Sequence, residues 1–141
     1  MSYRLLHQAV VDKLKATTGI TDLAVDINYA HTKFTGFPSI AVANSSNEND
    51  YQANDARRRT YGFSIYVYDL FSGNDEYEAS VKKVEDLMDQ VIEVFNSSDA
   101  LQPTALQTQP VPASLITTDA GDEGVYTVGE VIVRCTVYEG C

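Results

Sequence analysis

Apolar positions along this chain change their period several times, and each change marks an element. Leu5, Leu6, Ala9, Val10 and Leu14 recur at helical spacing, which predicts an amphipathic helix over 2–17 closed by Thr17-Thr18-Gly19. The period then falls to two. Leu23, Val25, Ile27 and Tyr29 alternate with polar positions, as in a strand over 23–30. Phe37–Ala43 is a second strand with Pro38 near its start, where no ladder N–H is needed. Residues 44–56 (NSSNENDYQANDA) follow as a polar loop, long for a hairpin connection and therefore a candidate functional segment.

Residues 57–69 predict a third strand with two unlike faces. Tyr61, Phe63, Ile65 and Val67 form a core face, whereas Thr60, Gly62, Ser64, Tyr66 and Tyr68 form a face for a covering helix or a partner. Ser72-Gly73-Asn74-Asp75 breaks this strand and caps a helix in which Tyr77, Val81, Val84, Met88, Val91, Ile92 and Phe95 make one apolar stripe. Asn96-Ser97-Ser98 ends it. Residues 99–110 read as a loop punctuated by Pro103 and Pro110, 111–118 as a strand, 118–124 as a polar turn, and 125–138 as a final strand. The order α-β-β-β-α-β-β describes one α+β domain over 1–141, with an antiparallel sheet of about five strands flanked by two helices.

Composition narrows the function classes. Apolar residues make up 44% and charged residues 21%, as expected of a globular chain. No apolar run approaches the roughly 20 residues of a membrane span, and residues 1–16 lack the unbroken apolar core of a signal peptide, so a cytosolic origin is expected. Cys135 alternates with Val133 and Val137 as a buried thiol and Cys141 is the last residue, a pattern that argues against a structural disulfide.

The net charge of −10 is unevenly spread. Residues 1–60 hold seven Lys/Arg against six Asp/Glu, and residues 61–141 hold three against fourteen. Phosphate binding needs clustered cations, so this distribution argues against a nucleic-acid grip; it fits either a solubilising surface or complementary patches on neighbouring copies.

Catalytic and cofactor signals are absent from the sequence. The glycines match neither a phosphate loop nor a dinucleotide fingerprint. His7 and His31 have no partner at metal-ligand spacing and read as surface or capping residues. Cys135 has no neighbouring cation to activate it. Asp119, Asp122 and Glu123 lack the ligand count of a calcium loop and read as a hairpin turn. Tyr66 and Tyr68 lack the basic surroundings of a base-stacking sheet. We therefore expect no enzyme, cofactor or metal.

Two charged features remain. Asp75, Glu78, Asp86, Asp89 and Glu93 fall within a narrow arc of the second helix, relieved only by Lys82, and make either a solvated face or a surface that must not bind what it meets. Arg57-Arg58-Arg59 is the only cationic run; it is a solvated strand edge or a source of intersubunit ion pairs.

The succession "VVDKLKATTGI", "FPSIAV", a polar loop ending in arginines, "RRRTYGFSIYVYD" and "EYEASVKKVEDLMDQVIEVF", followed by two strands, resembles the tail terminator (tail completion) and head–tail joining proteins of tailed bacteriophages. The resemblance covers nearly the whole chain as a pattern without a signature residue. It implies a non-enzymatic virion protein, made in the host cytoplasm, whose copies form a ring, typically a hexamer, on the last ring of the tail tube. Such a ring stops tail polymerisation and meets the head connector proteins while DNA passes through its lumen. On that implication Asp86, Asp89 and Glu93 line the lumen, and Glu48, Asp50, Tyr51, Arg57, Arg58 and Arg59 contact the tail tube or a neighbouring subunit. Another neck or baseplate component on the same fold is an open alternative. So is a small cytosolic enzyme or ligand-binding module, for which the chain offers no nucleophile or acid–base pair.

Overall fold

Strand β4, Arg58–Phe71, runs through the middle of the sheet because its alternate residues suit two environments. Tyr61, Phe63, Ile65 and Val67 are buried, while Tyr66 and Tyr68 on the opposite face are half-buried. The computed structural model describes residues 3–30, 36–44, 52–53, 58–71, 76–97, 101, 107–119 and 125–138. The chain forms α1 (Tyr3–Lys15), the short α2 (Thr18–Thr21), β1 (Asp26–Asn28), β2 (Ser39–Asn44), β3 (Gln52–Ala53), β4, α3 (Tyr77–Asn96), β5 (Gln107–Asp119) and β6 (Val125–Tyr138). The sheet order is β1-β2-β4-β6-β5, with β3 added alongside β4. This is the expected α+β class and element order. Neighbouring strands are antiparallel except β1 and β2, which pair in parallel with Asp26 opposite Ser39.

Three expected boundaries and one helix face shift, each for a physical reason. The strand expected over 23–30 shrinks to three residues. The backbone N–H groups of Leu23 and Ala24 both donate to Ile20 O, so a helical turn consumes the segment where alternation seemed to begin. In consequence Leu23 and Val25 are 43% and 62% exposed rather than buried. The polar segment 44–56 is not all loop, because Gln52 and Ala53 pair with Thr60 and Arg59. Strand β5 begins at Gln107 and runs through Pro110, which an edge strand tolerates because its outer side needs no donor. A register shift between Pro112 and Leu115 bends that edge.

The fourth shift is a rotation of α3. Val84, Val91 and Phe95 are buried as expected, but Leu87 and Ser80 join them, whereas Tyr77 is 45% exposed and Val81 only partly covered. Tyr77 stacks on Phe71 instead, with centroids 5.5 Å apart. The helix turns toward β6 because Gly129 offers no side chain there: Val84 and Met88 fill its space. The Ser80 and Thr127 hydroxyls complete this seam with a buried hydrogen bond of 2.8 Å.

The core lies between the sheet and both long helices. Leu6, Val10 and Leu14 of α1, Ile20 of α2 and the inner face of α3 meet Phe63, Ile65, Val131, Val133 and Cys135. Each fully buried aliphatic or aromatic side chain contributes about 1.5–3 kcal/mol of transfer free energy. His7, expected at the surface or in a cap, is instead 7% exposed, and its Nε2 lies 3.0 Å from Val42 O.

Candidate functional site

The outer side of α3 is the most strongly charged surface described. Glu78, Glu85, Asp86, Asp89 and Glu93 are all exposed there, with Lys82 and Lys83 as the only cations on the helix. Lys82 Nζ sits 3.0 Å from Glu78 Oε1, with side chains 69% and 82% exposed, so the pair contributes only a few tenths of a kcal/mol, about the usual value at i,i+4. Among the described residues no cation pairs with Asp86, Asp89 or Glu93. The structure thus places these three on one solvent-facing helix side, as their spacing predicts.

At the shoulder of that side lies a cleft of about 180 Å³, lined by Asp22, Leu23, Pro38, Lys83 and Asp86. It forms where the turn after α2 and the start of β2 face α3. Gly19 of α2 faces the Gln90 side chain of α3, whose Oε1 would lie 2.5 Å from an added Cβ. Leu23 and Pro38 supply apolar lining, and the two carboxylates have no ion pair among the described residues. Sequence reasoning missed this cleft. The signal for Leu23 pointed to a buried strand, and only the turn geometry turns it outward.

The sheet face away from α1 and α3 carries a row of aromatic rings. Phe37 and Tyr126 have centroids 5.5 Å apart, Tyr126 and Tyr68 6.0 Å, and Tyr68 and Tyr66 6.3 Å. Among the described residues no helix covers this face. Burial, followed by the Tyr66 phenol and the Glu130 carboxylate, pushes the Tyr68 hydroxyl up to about 12. Tyr66 is raised too, chiefly by burial and by the negative Glu130, which its register sets directly opposite. Phase in the final strand could have revealed Tyr126, which shares the face of Ile132 and Arg134.

The remaining candidates separate. Arg58 and Arg59 open β4 opposite Tyr138 and Val137. Glu48, Asp50, Tyr51 and Arg57 lie outside the described residues, as do His31, Asp122 and Glu123. Among the described residues no three or more His, Cys, Asp or Glu side chains come together as a metal set. None of the described helices is long and apolar enough to cross a membrane. Burial pushes the Cys135 thiol up to about 12, so its thiolate is scarce at neutral pH.

No protein-family model matches the chain, and no curated protein matches it. Solved structures do. The bacteriophage SPP1 gp17 protein aligns over 95% of this chain and 89% of its own, at 16% identity and a TM-score of 0.49. A chain from the virion of a native gene transfer agent (GTA) particle aligns over 98% of this chain and 100% of its own, at 13% identity and a TM-score of 0.58. The α+β architecture described above is therefore the fold of that virion chain from end to end.

Proposed function

We propose that this protein is a non-enzymatic structural component of a phage-like virion, placed at the tail–head junction. Its copies assemble as a ring, hexameric by resemblance to tail terminators, on the last ring of the tail tube. The ring ends tail polymerisation and presents a surface to the head connector while DNA passes through the lumen. One observation carries the reading: a fold shared over 98% of this chain with a chain of a GTA virion.

The uncompensated acids of α3 support it. A carboxylate wall repels phosphates, so DNA slides past Asp86, Asp89 and Glu93 without adhering. The polar segment with Glu48, Asp50 and Tyr51, together with Arg57, Arg58 and Arg59, is our assigned contact with the tail tube or the adjacent subunit.

Negative-stain microscopy of the purified protein mixed with tail tubes tests the proposal. Rings of protein at one tube end are the expected result. A protein that remains monomeric and leaves tube ends bare would overturn it. Decoration elsewhere in the neck or at the baseplate would reassign it to another structural role on the same fold.

A further inference from the structure

The cleft between α2 and α3 has a counterpart on the same chain that it cannot reach. Its lining combines the apolar surfaces of Leu23 and Pro38 with the carboxylates of Asp22 and Asp86. That combination suits a side chain with an aliphatic stem and a cationic tip, which buries its methylenes while keeping its charge hydrogen-bonded. Lys83 stands on the rim, but it makes no ion pair with either carboxylate among the described residues, so both retain acceptor capacity. Its flexible four-carbon stem also lets its charge move outward.

The only cationic run of the chain is Arg57-Arg58-Arg59. Positions 58 and 59 open β4 at one end of the sheet. Pro38 immediately precedes Ser39, whose β4 partner is Tyr68, ten residues further along the strand. At about 3.3 Å per residue the arginines and the cleft are separated by roughly 30 Å. Two complementary patches at opposite ends of one rigid sheet cannot satisfy each other within a chain. They satisfy each other between chains, head to tail, and a head-to-tail contact closes into a ring when its rotation permits.

We infer that the Asp22/Leu23/Pro38/Asp86 cleft is the socket of a heterologous interface and receives an arginine from positions 58–59 of a second copy of this chain. The inference rests on the ring assembly proposed above and names its seam. It also divides the acidic side of α3 between two tasks. About 100° of helix turn per residue sets Asp89 roughly 60° around the axis from Asp86. Asp86 therefore faces the seam, while Asp89, the farthest of the three acids around the axis, remains toward the lumen and Glu93 lies between them.

Sedimentation velocity over a concentration series of the full-length protein tests this, with Asp22→Asn/Asp86→Asn, Arg58→Glu and Arg59→Glu alongside the wild type. Assembly of the wild type is expected to weaken with added salt. The double neutralisation and at least one arginine reversal should raise the concentration needed for assembly tenfold or more. Pairing that arginine reversal with Asp86→Arg should recover most of the loss. Circular dichroism melting of each variant shows whether the monomer is intact, and neutralising the exposed Asp22 and Asp86 should leave it so. A wild type that assembles beside variants that assemble equally well would overturn the socket while leaving the ring standing. A wild type that stays monomeric both alone and with tail tubes would overturn the ring, and the socket with it.

Discussion

His7 stacks on Tyr29 with ring centroids 3.8 Å apart and planes inclined by 16°, while its Nε2 reaches Val42 O at 3.0 Å. One side chain thereby ties α1 to strand β2 and to the residue just past β1. This is a long-range polar tie in a largely apolar core. His7→Ala should cost about 2–3 kcal/mol, combining a lost buried hydrogen bond with a cavity. His7→Phe keeps the stack and should cost about half as much. Urea denaturation at pH 7 checks both. A double-mutant cycle with Tyr29→Ala should return a coupling of roughly 0.5–1.5 kcal/mol, and zero coupling would mean that the stack contributes nothing.

Gly129 sets the height of α3 over the sheet. A Cβ there would lie 2.4 Å from Met88 Sδ and 2.8 Å from Val84 Cγ1. Met88 can swing its thioether away, but Val84 is β-branched, buried and stiff within a helix. Gly129→Ala should therefore destabilise by about 1–3 kcal/mol despite alanine's better strand propensity. Adding Val84→Ala should relieve the clash, so the double variant should lose less than the two single losses summed. Additive losses in thermal unfolding would show that the contact is not the cause.

The elements legible in the sequence were those whose pattern matched their final burial. The two faces of β4 and the alternation of β6 are visible in the chain because each strand buries one side along its length. What was not legible was set by backbone hydrogen bonds and packing partners that side-chain periodicity does not report. Leu23 and Val25 alternate like strand residues, yet the Ile20 carbonyl captures the local N–H groups and leaves both side chains exposed. The stripe of α3 was legible in Val84, Met88, Val91, Ile92 and Phe95, yet the empty place at Gly129 draws the helix round until Leu87 is buried and Tyr77 is exposed. The acidic side of α3 could be read from spacing alone because Asp86, Asp89 and Glu93 all stay exposed. The cleft beside Asp86 could not, since it takes shape only when the turn after α2 meets α3.

Alkaline pH should unfold this protein earlier than its acidic composition suggests. Burial raises the Cys135 thiol from 9.0 to about 12, and burial leads the rise of Tyr68 from 10.0 to about 12. In both groups the folded state holds its proton to higher pH than the unfolded chain. Below pH 9 both states are protonated and stability is unaffected. Above pH 9 the unfolded state releases protons first, so stability falls with rising pH, at a slope approaching about 1.4 kcal/mol per pH unit from Cys135 alone. Tyr68 is half-exposed and adds less. Cys135→Ala should flatten the decline between pH 9 and 12. Within a Cys141→Ser background, a thiol reagent at pH 8 should label Cys135 only as fast as the protein opens.

Trimming the polar segment separates its pairing with β4 from the tail-tube contact we propose for it. Gln52 and Ala53 pair with Thr60 and Arg59 at the start of β4, so removing them strips two residues of ladder from the strand that carries the arginines. Residues 45–51 hold Glu48, Asp50 and Tyr51 and no apolar side chain besides that tyrosine. Polar side chains bring little apolar surface to a core, and a change in chain length between two strands alters closure entropy only slightly. Replacing 45–51 by a Gly-Ser link should leave the melting temperature within a few degrees of wild type, because about 1 kcal/mol moves a domain of this size by only a few degrees. The same variant should lose attachment to tail tubes by pelleting. Removal of 45–56 should lower both. If the shorter trim attaches normally, the tube contact lies outside residues 45–51.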